Sequence, residues 1–330
     1  MMHSIYPWLQ DAWNAMHQNK KLPHALIFKG KEGIGKHDFA MTFAKSYLCQ
    51  SPLANYLPCE TCVSCNWFPE SHPDFKHIAP VESDDDESSK RKTVRKKNIV
   101  IDQIRELSEY LELSAHQEKG KRIVLIEPAD ALNQAASNAL LKILEEPPEN
   151  TLFILVTSQA QKLIATIRSR CQLIDFRGPS LEESRLFLTD EKITYDESLL
   201  SFTGGSPFSA IKELENQSER DVITQLLAQG HHIDVTKVNY GILTQGLDWT
   251  LNIIQKWTFD LLLSFHTQQS YYFKKEEARI HSQAKQLNLD ALLSFANELN
   301  ALKKIASHPI NQELQLQNIF IKFKQIFEPS

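Results

Sequence analysis

Residues 24–48 read HALIFKGKEGIGKHDFAMTFAKSYL, and few folds accommodate that order of chemistry. HALIFKG is a short apolar run closed by glycine, the pattern of a buried strand. GIGKHDFAMTFAKSYLC follows with Phe39, Phe43 and Leu48 at roughly helical spacing. Strand, glycine loop and helix together form the context in which backbone N–H groups converge on phosphate oxygens, helped by the positive end of the helix. Gly30, Gly33, Gly35 and Lys36 fit such a loop, with the spacing Gly30-x-x-x-x-Gly35-Lys36. His37 stands where a serine or threonine would coordinate magnesium, and a neutral imidazole suits a hard, oxygen-preferring ion poorly. Two readings stand: a phosphate loop without its metal hydroxyl, or a strand-to-helix turn that only packs.

Further apolar runs at KRIVLIEPAD (121–130) and TLFILVTS (151–158) read as strands. Between them ASNALLKILEE (136–146) places Ala136, Ala139, Leu140, Ile143 and Leu144 on one helical face, and Pro147 and Pro148 stop it. NIVIDQIRELSEYL reads as a short strand followed by an amphipathic helix. Strands alternating with helices predict a parallel sheet covered on both faces. In a hydrolysing enzyme of this type the strand end supplies a magnesium-binding aspartate, followed by a glutamate that activates water. Here the pair is Glu127-Pro128, with Asp130 nearby, and proline cannot act as a base. Beyond about residue 176 the strand signal fades. Long helical patterns dominate from about 214, including 249–265 and 311–327, and their aromatic stripes read as core or as a partner-facing surface.

The chain of 330 residues is 42% hydrophobic and 23% charged, with a net charge of −5. An acidic balance argues against unaided grip on a phosphate backbone, which draws on clustered Lys and Arg. Residues 82–97, ESDDDESSKRKTVRKK, join an acidic block to a basic one and read as a solvated, disordered excursion. A basic hook for nucleic acid is the alternative there. No apolar run reaches 18 residues, so no membrane span is expected, and the N-terminus has none of the features of a secretion signal. The expected compartment is the cytoplasm. Cys49, Cys59, Cys62 and Cys65 form C-x9-C-x2-C-x2-C, which in a reducing compartment points to metal. Two overlapping C-x2-C turns, with Cys49 at a helix end as the fourth ligand, suit tetrahedral zinc in a structural role, because four protein ligands leave no open position. In TIRSRCQ (166–172), a short polar turn, Arg170 is either a solvated arginine beside a buried Cys171 or an arginine finger stabilising a transferred phosphoryl group.

Taken together, YPWL (6–9), HALIFKGKEGIGK, the cysteine cluster, HPDF (72–75), IDQIREL (101–107), ASNALLKILEEPPENT, TIRSRCQ, GGSPFSAI and HPINQELQLQNIFIKF resemble the delta-prime family of subunits of the bacterial DNA polymerase III clamp loader. Only the 82–97 run looks added. The resemblance implies an α/β fold: a RecA-like AAA+ parallel sheet with a zinc-binding insertion (1–176), a small helical lid (177–213) and an all-α collar (214–330). It implies assembly with delta and gamma/tau motor subunits in a hetero-pentamer that opens the sliding clamp and places it on primed DNA. Within such an assembly the chain would be a stationary part of the polymerase holoenzyme, with weak or no ATP binding and no ATPase activity of its own. Arg170 would project into the ATP site of the adjacent motor. Phe208 stands where the motors usually carry a sensor arginine. Competing readings are an autonomous ATPase, opposed by His37 and Pro128, and a zinc-dependent DNA-binding module, opposed by the acidic charge and by the lack of a basic recognition helix after the cysteines.

Overall fold

The computed structural model of the chain describes residues 5–18, 22–80, 98–112, 120–238, 243, 245–306 and 311–327. The 82–97 charge run lies outside them. The chain forms two compact units, Met1–Glu183 and Ser184–Ser330.

The first unit is built on five parallel strands: β1 (Ala25–Lys29), β2 (Phe75–Ile78), β3 (Arg122–Ile126), β4 (Thr151–Thr157) and β5 (Gln172–Asp175). Their order is β2-β3-β4-β1-β5. Strands β3 and β4 are buried at every residue, as continuous apolar runs must be when helices cover both faces. Those covers come from α1 (Gln10–Gln18), α2 (Lys36–Leu48), α3 (Val63–Trp67), α4 (Ile101–Glu112), α5 (Gln134–Glu145) and α6 (Ala165–Arg170). On one face Ala25, Ile27, Val124 and Phe153 pack with Ile104 and Leu107 of α4, Leu140 of α5 and Ile167 of α6. On the other, Phe28 meets Phe39 and Phe43 of α2 edge-on, and Trp13 of α1 closes over both. The parallel sheet and its helical cover bear out the expected fold class.

Local details depart from the sequence expectation. The stretch 166–170 is helical, in α6, and not a turn, and β5 follows it directly. Both β2 and β5 have only four residues, and β5 is an exposed edge whose QLID lacks the apolar run that marks β3 and β4. The short strand expected at NIV is reduced to one parallel bridge, Ile99 to Leu132.

The second unit is helical. The division falls inside α7 (Leu181–Asp190); α8 (Glu197–Phe202) and α9 (Pro207–Glu215) follow, packed through Leu188, Leu199, Leu200 and Ala210. A larger core joins α10 (Gln217–Ala228), α11 (Leu247–Thr267), α12 (Glu277–Ala284), α13 (Leu289–Ile305) and α14 (Gln312–Gln325) around Trp257, Leu261, Leu299, Phe320 and Phe323. Of the aromatics on the long helices, Trp257, Phe320 and Phe323 are core, whereas Phe259 and Phe265 are exposed. Asp260 of α11, fully buried, accepts from the backbone N–H groups of Tyr271, Tyr272 and Phe273 at 2.8–3.1 Å. Burial pushes its carboxyl above the ordinary value, and the three amides pull it back. The carboxylate thereby substitutes for the backbone partners that a tight turn after α11 lacks. Asp260→Ala leaves these amides unpaired and should destabilise the second unit by about 2–3 kcal/mol, measured by denaturant unfolding. A loss below experimental error would show that water replaces the carboxylate.

Candidate functional site

The loop after β1 is the first candidate. Gly30 donates its N–H to Thr157 O at 3.4 Å, so the chain leaves the sheet between β4 and β5. A Cβ at Gly30 would lie 2.8 Å from Ile34 Cδ1 and 3.2 Å from Phe176, so no larger residue fits there without movement. Gly33 and Gly35 have φ of 70° and 85°, a region L-residues seldom adopt, and Gly35 is the N-cap of α2. Strand, glycine turn and helix therefore form as the sequence predicts. Trp8 donates its indole N–H to Ile34 O at 2.8 Å, and Tyr6 donates to Asp38 Oδ2 at 2.7 Å. The segment before α1 is thus bonded to the loop.

The polar groups around this loop are bonded to one another. Lys36 is 7% exposed and donates from Nζ to the carbonyls of Gly30 (2.9 Å) and Lys31 (2.6 Å), the loop's own backbone. Burial pulls its pKa below the ordinary value, opposed by the carboxylates of Glu127, Glu32 and Asp130. His37 Nδ1 and Glu127 Oε2 lie 2.5 Å apart. That hydrogen bond raises the pKa of His37 above 6.5, against the effect of burial. The rings of His77 and His37 are 6.1 Å apart, and burial holds His77 down. Asp130 accepts from Thr157 Oγ1 at 2.5 Å. The geometry thus joins His37 to Glu127 where a hydroxyl and a magnesium-binding acid would stand. Thr157 and His77 escaped the sequence reading, although a threonine closing the apolar run of β4 is a readable signal.

The cysteine cluster is the second candidate. Cys49 is the C-cap of α2, Cys62 the N-cap of α3, and Cys65 lies within α3. The four sulfurs lie within 4.8 Å of one another, with Cys49 to Cys62 at 3.8 Å and Cys59 to Cys65 at 4.0 Å. Zinc–sulfur bonds of about 2.3 Å in a tetrahedron need sulfurs about 3.8 Å apart, so the donor set can hold such an ion. The amides of Cys59, Cys62 and Cys65 donate to Cys49, Cys59 and Cys62 Sγ at 3.3–3.4 Å. Hydrogen bonds from Ser51 and from the Thr61 and Cys62 backbones pull the Cys59 thiol down to about 5, while burial pushes Cys49 and Cys65 up. Four thiolates this close repel one another unless a cation is shared among them, so metal binding and their deprotonation go together.

Arg170, the last residue of α6, donates from one guanidinium nitrogen to Glu145 Oε1 at 2.7 Å and from the other to Thr166 O at 3.1 Å. Its side chain is 36% exposed and that of Glu145 45%. Burial pushes the neighbouring Cys171 thiol up to about 11. Phe208 of α9 packs against Phe187, ring centroids 5.1 Å apart. Among the described residues no helix is long and apolar enough to cross a membrane.

A family model described as DNA polymerase III, delta subunit matches residues 7–180. The DNA polymerase III subunit delta' of Pseudomonas aeruginosa is 36% identical over 231 residues, covering 68% of this chain and 66% of that protein. The protein of the same name from Escherichia coli is 31% identical over 232 residues, 68% of this chain and 65% of that one. The Bacillus subtilis counterpart is 36% identical over 192 residues, 57% and 53%. The matches span just under two thirds, or less, of these relatives' lengths.

The His37–Glu127 pair has a definite pH signature. A raised histidine pKa stabilises the fold fully below 6.5, and that contribution fades as pH rises through the shifted value. The titration midpoint of His37 measured by NMR should lie above 6.5 and fall toward it in Glu127→Gln. A wild-type midpoint at or below 6.5 would contradict the pairing.

Proposed function

The chain belongs to the DNA polymerase III delta' family, and from that premise we propose that it is a non-hydrolysing stator subunit of a cytoplasmic clamp loader. In this reading it assembles with delta and gamma/tau subunits in a hetero-pentamer that loads a sliding clamp onto primed DNA. Residues 177–213 act as the lid and residues 214–330 as the collar that joins the subunits. Its part in ATP turnover is to supply Arg170 in trans to the neighbouring motor's site.

The observation that carries this reading is the state of the loop. Lys36 is engaged by its own loop, His37 is bonded to Glu127, Asp130 to Thr157, and Pro128 has no titratable group. A nucleotide entering here would have to break these contacts and would meet neither a magnesium hydroxyl at 37 nor a base at 128. The retained Lys36 leaves weak phosphate binding as the most this loop offers. Arg170 stands differently. Its bond to Glu145 is a half-exposed ion pair, a class of interaction contributing about 0–1 kcal/mol, so a phosphate on an adjacent subunit can displace the carboxylate readily. Fingers of this kind accelerate phosphoryl transfer by roughly 10³–10⁵.

We also propose that Cys49, Cys59, Cys62 and Cys65 hold a structural zinc. Bound there, the ion would supply cross-linking of the insertion and no catalysis, since all four positions are taken by protein. The polypeptide's own contribution is to bring three short segments together and to direct backbone amides at the thiolates.

Three experiments test these readings. The isolated chain, with magnesium and primed DNA present, should hydrolyse no ATP, and turnover abolished by Lys36→Ala would make it a motor instead. In the reconstituted complex, Arg170→Ala should leave assembly intact and silence the one motor site it faces, a roughly 10³-fold loss there, while Arg168→Ala should leave turnover unchanged. Equal turnover by wild type and Arg170→Ala would remove the finger role. Cys62→Ser should lose zinc and lower the melting temperature; a metal-free wild type that melts no differently from the variant would remove the zinc claim.

A further inference from the structure

The cysteines of the insertion arrive on separate pieces of chain. Cys49 ends α2, whereas Cys62 and Cys65 flank Ser64 at the start of α3. Contacts other than the cysteines themselves join these pieces. We propose that Ser64 and His72 are positioning residues for the metal centre, forming a buried hydrogen-bond chain that fastens both ligand-bearing segments to the sheet. This rests on the zinc reading above.

The direction of every bond in the chain is fixed. The backbone N–H of Asp74 donates to His72 Nδ1 at 3.1 Å, so that nitrogen carries no proton. His72 Nε2 is then the donor to Ser64 Oγ, 2.8 Å away. Ser64 in turn donates its hydroxyl proton to Leu48 O, also at 2.8 Å. Leu48 precedes Cys49 and Ser64 precedes Cys65, so one hydroxyl ties the two metal-bearing segments. Exposure is 2% at Ser64, 4% at His72 and 1% at Asp74, so water does not compete for these bonds. Burial holds His72 below its ordinary pKa, which keeps it the neutral tautomer that the geometry requires.

The far end of the chain is anchored as firmly. Tyr110 on α4 donates to Pro73 O at 2.7 Å, and Ile123 N on β3 donates to Asp74 O at 2.9 Å. His72 therefore sits on a turn held by a helix and by the sheet, and passes that fixed position to Ser64. Ligand-supporting residues of this kind typically alter metal affinity by 10–100-fold when removed.

The test uses the full chain. Zinc content of the wild type is measured first; cobalt is then substituted, and metal loss to a chelator is followed by the thiolate-to-cobalt absorption. Ser64→Ala and His72→Leu should each release metal about tenfold faster. Because the two act in one chain, the double variant should be no faster than either single one. His72→Gln keeps a donor near the Nε2 position and should restore release close to the wild-type rate. Unchanged release in both single variants overturns the proposal, as does a double variant whose effect is the product of the two. Should His72→Leu fail to fold, Ser64→Ala against His72→Gln decides the same question. A wild type with no bound zinc overturns the zinc reading itself and this proposal with it, whereas zinc bound equally tightly by every variant overturns only the proposal.

Discussion

The hydrogen-bonded pairing of β1 between β4 and β5 governs the first unit. Buried on both faces, β1 can satisfy its backbone only through these neighbours, so its register is not negotiable. Lys29 lies level with Thr157 on one side and Asp175 on the other, and bonds to Asp175 at 2.7 Å. Gly30 must then turn beneath Phe176 with no room for a side chain. The placement of Thr157 beside the loop follows from the same register, and with it the bond to Asp130. A one-residue slip would move the apolar residues of β1 to opposite faces, separating Phe28 from the rings of α2.

Around this edge the polar groups are hydrogen-bonded internally. Lys36 donates to carbonyls, His37 pairs with Glu127, and Asp130 accepts from a threonine. Buried polar groups that must wait for a ligand are costly in its absence, because each lacks a partner until the ligand arrives. A loop that satisfies its own groups escapes that cost and loses ligand affinity in proportion. Arg170 follows the opposite pattern, since it stays on the surface with a carboxylate that is easily exchanged.

Much of this was legible in the sequence. The continuous apolar runs of β3 and β4 read as buried strands, and glycine spacing marked the loop. The four-cysteine spacing picked out the sulfurs that the structure brings together, including Cys49 at a helix end. The short strands β2 and β5 were not legible. FKHI has too few residues to show a period, and QLID at an exposed edge has no apolar signature. Nor did TIRSR announce a helix, because α6 is only six residues long and buries little more than Ile167. Tertiary partners were the deepest loss. Nothing local relates Glu145 to Arg170, or His72 to Ser64 and Leu48, since those pairings exist only once the helices have docked.

Helix α2 begins at the glycine loop and ends at Cys49, a span of thirteen residues or about 20 Å. It is therefore a strut with a glycine turn at one end and a cysteine of the four-sulfur cluster at the other. A change of backbone path at Gly33 or Gly35 would displace the far tip, where Cys49 meets the other three cysteines. The conformation of the two glycines is thus tied, through one helix, to the geometry of the cysteine cluster.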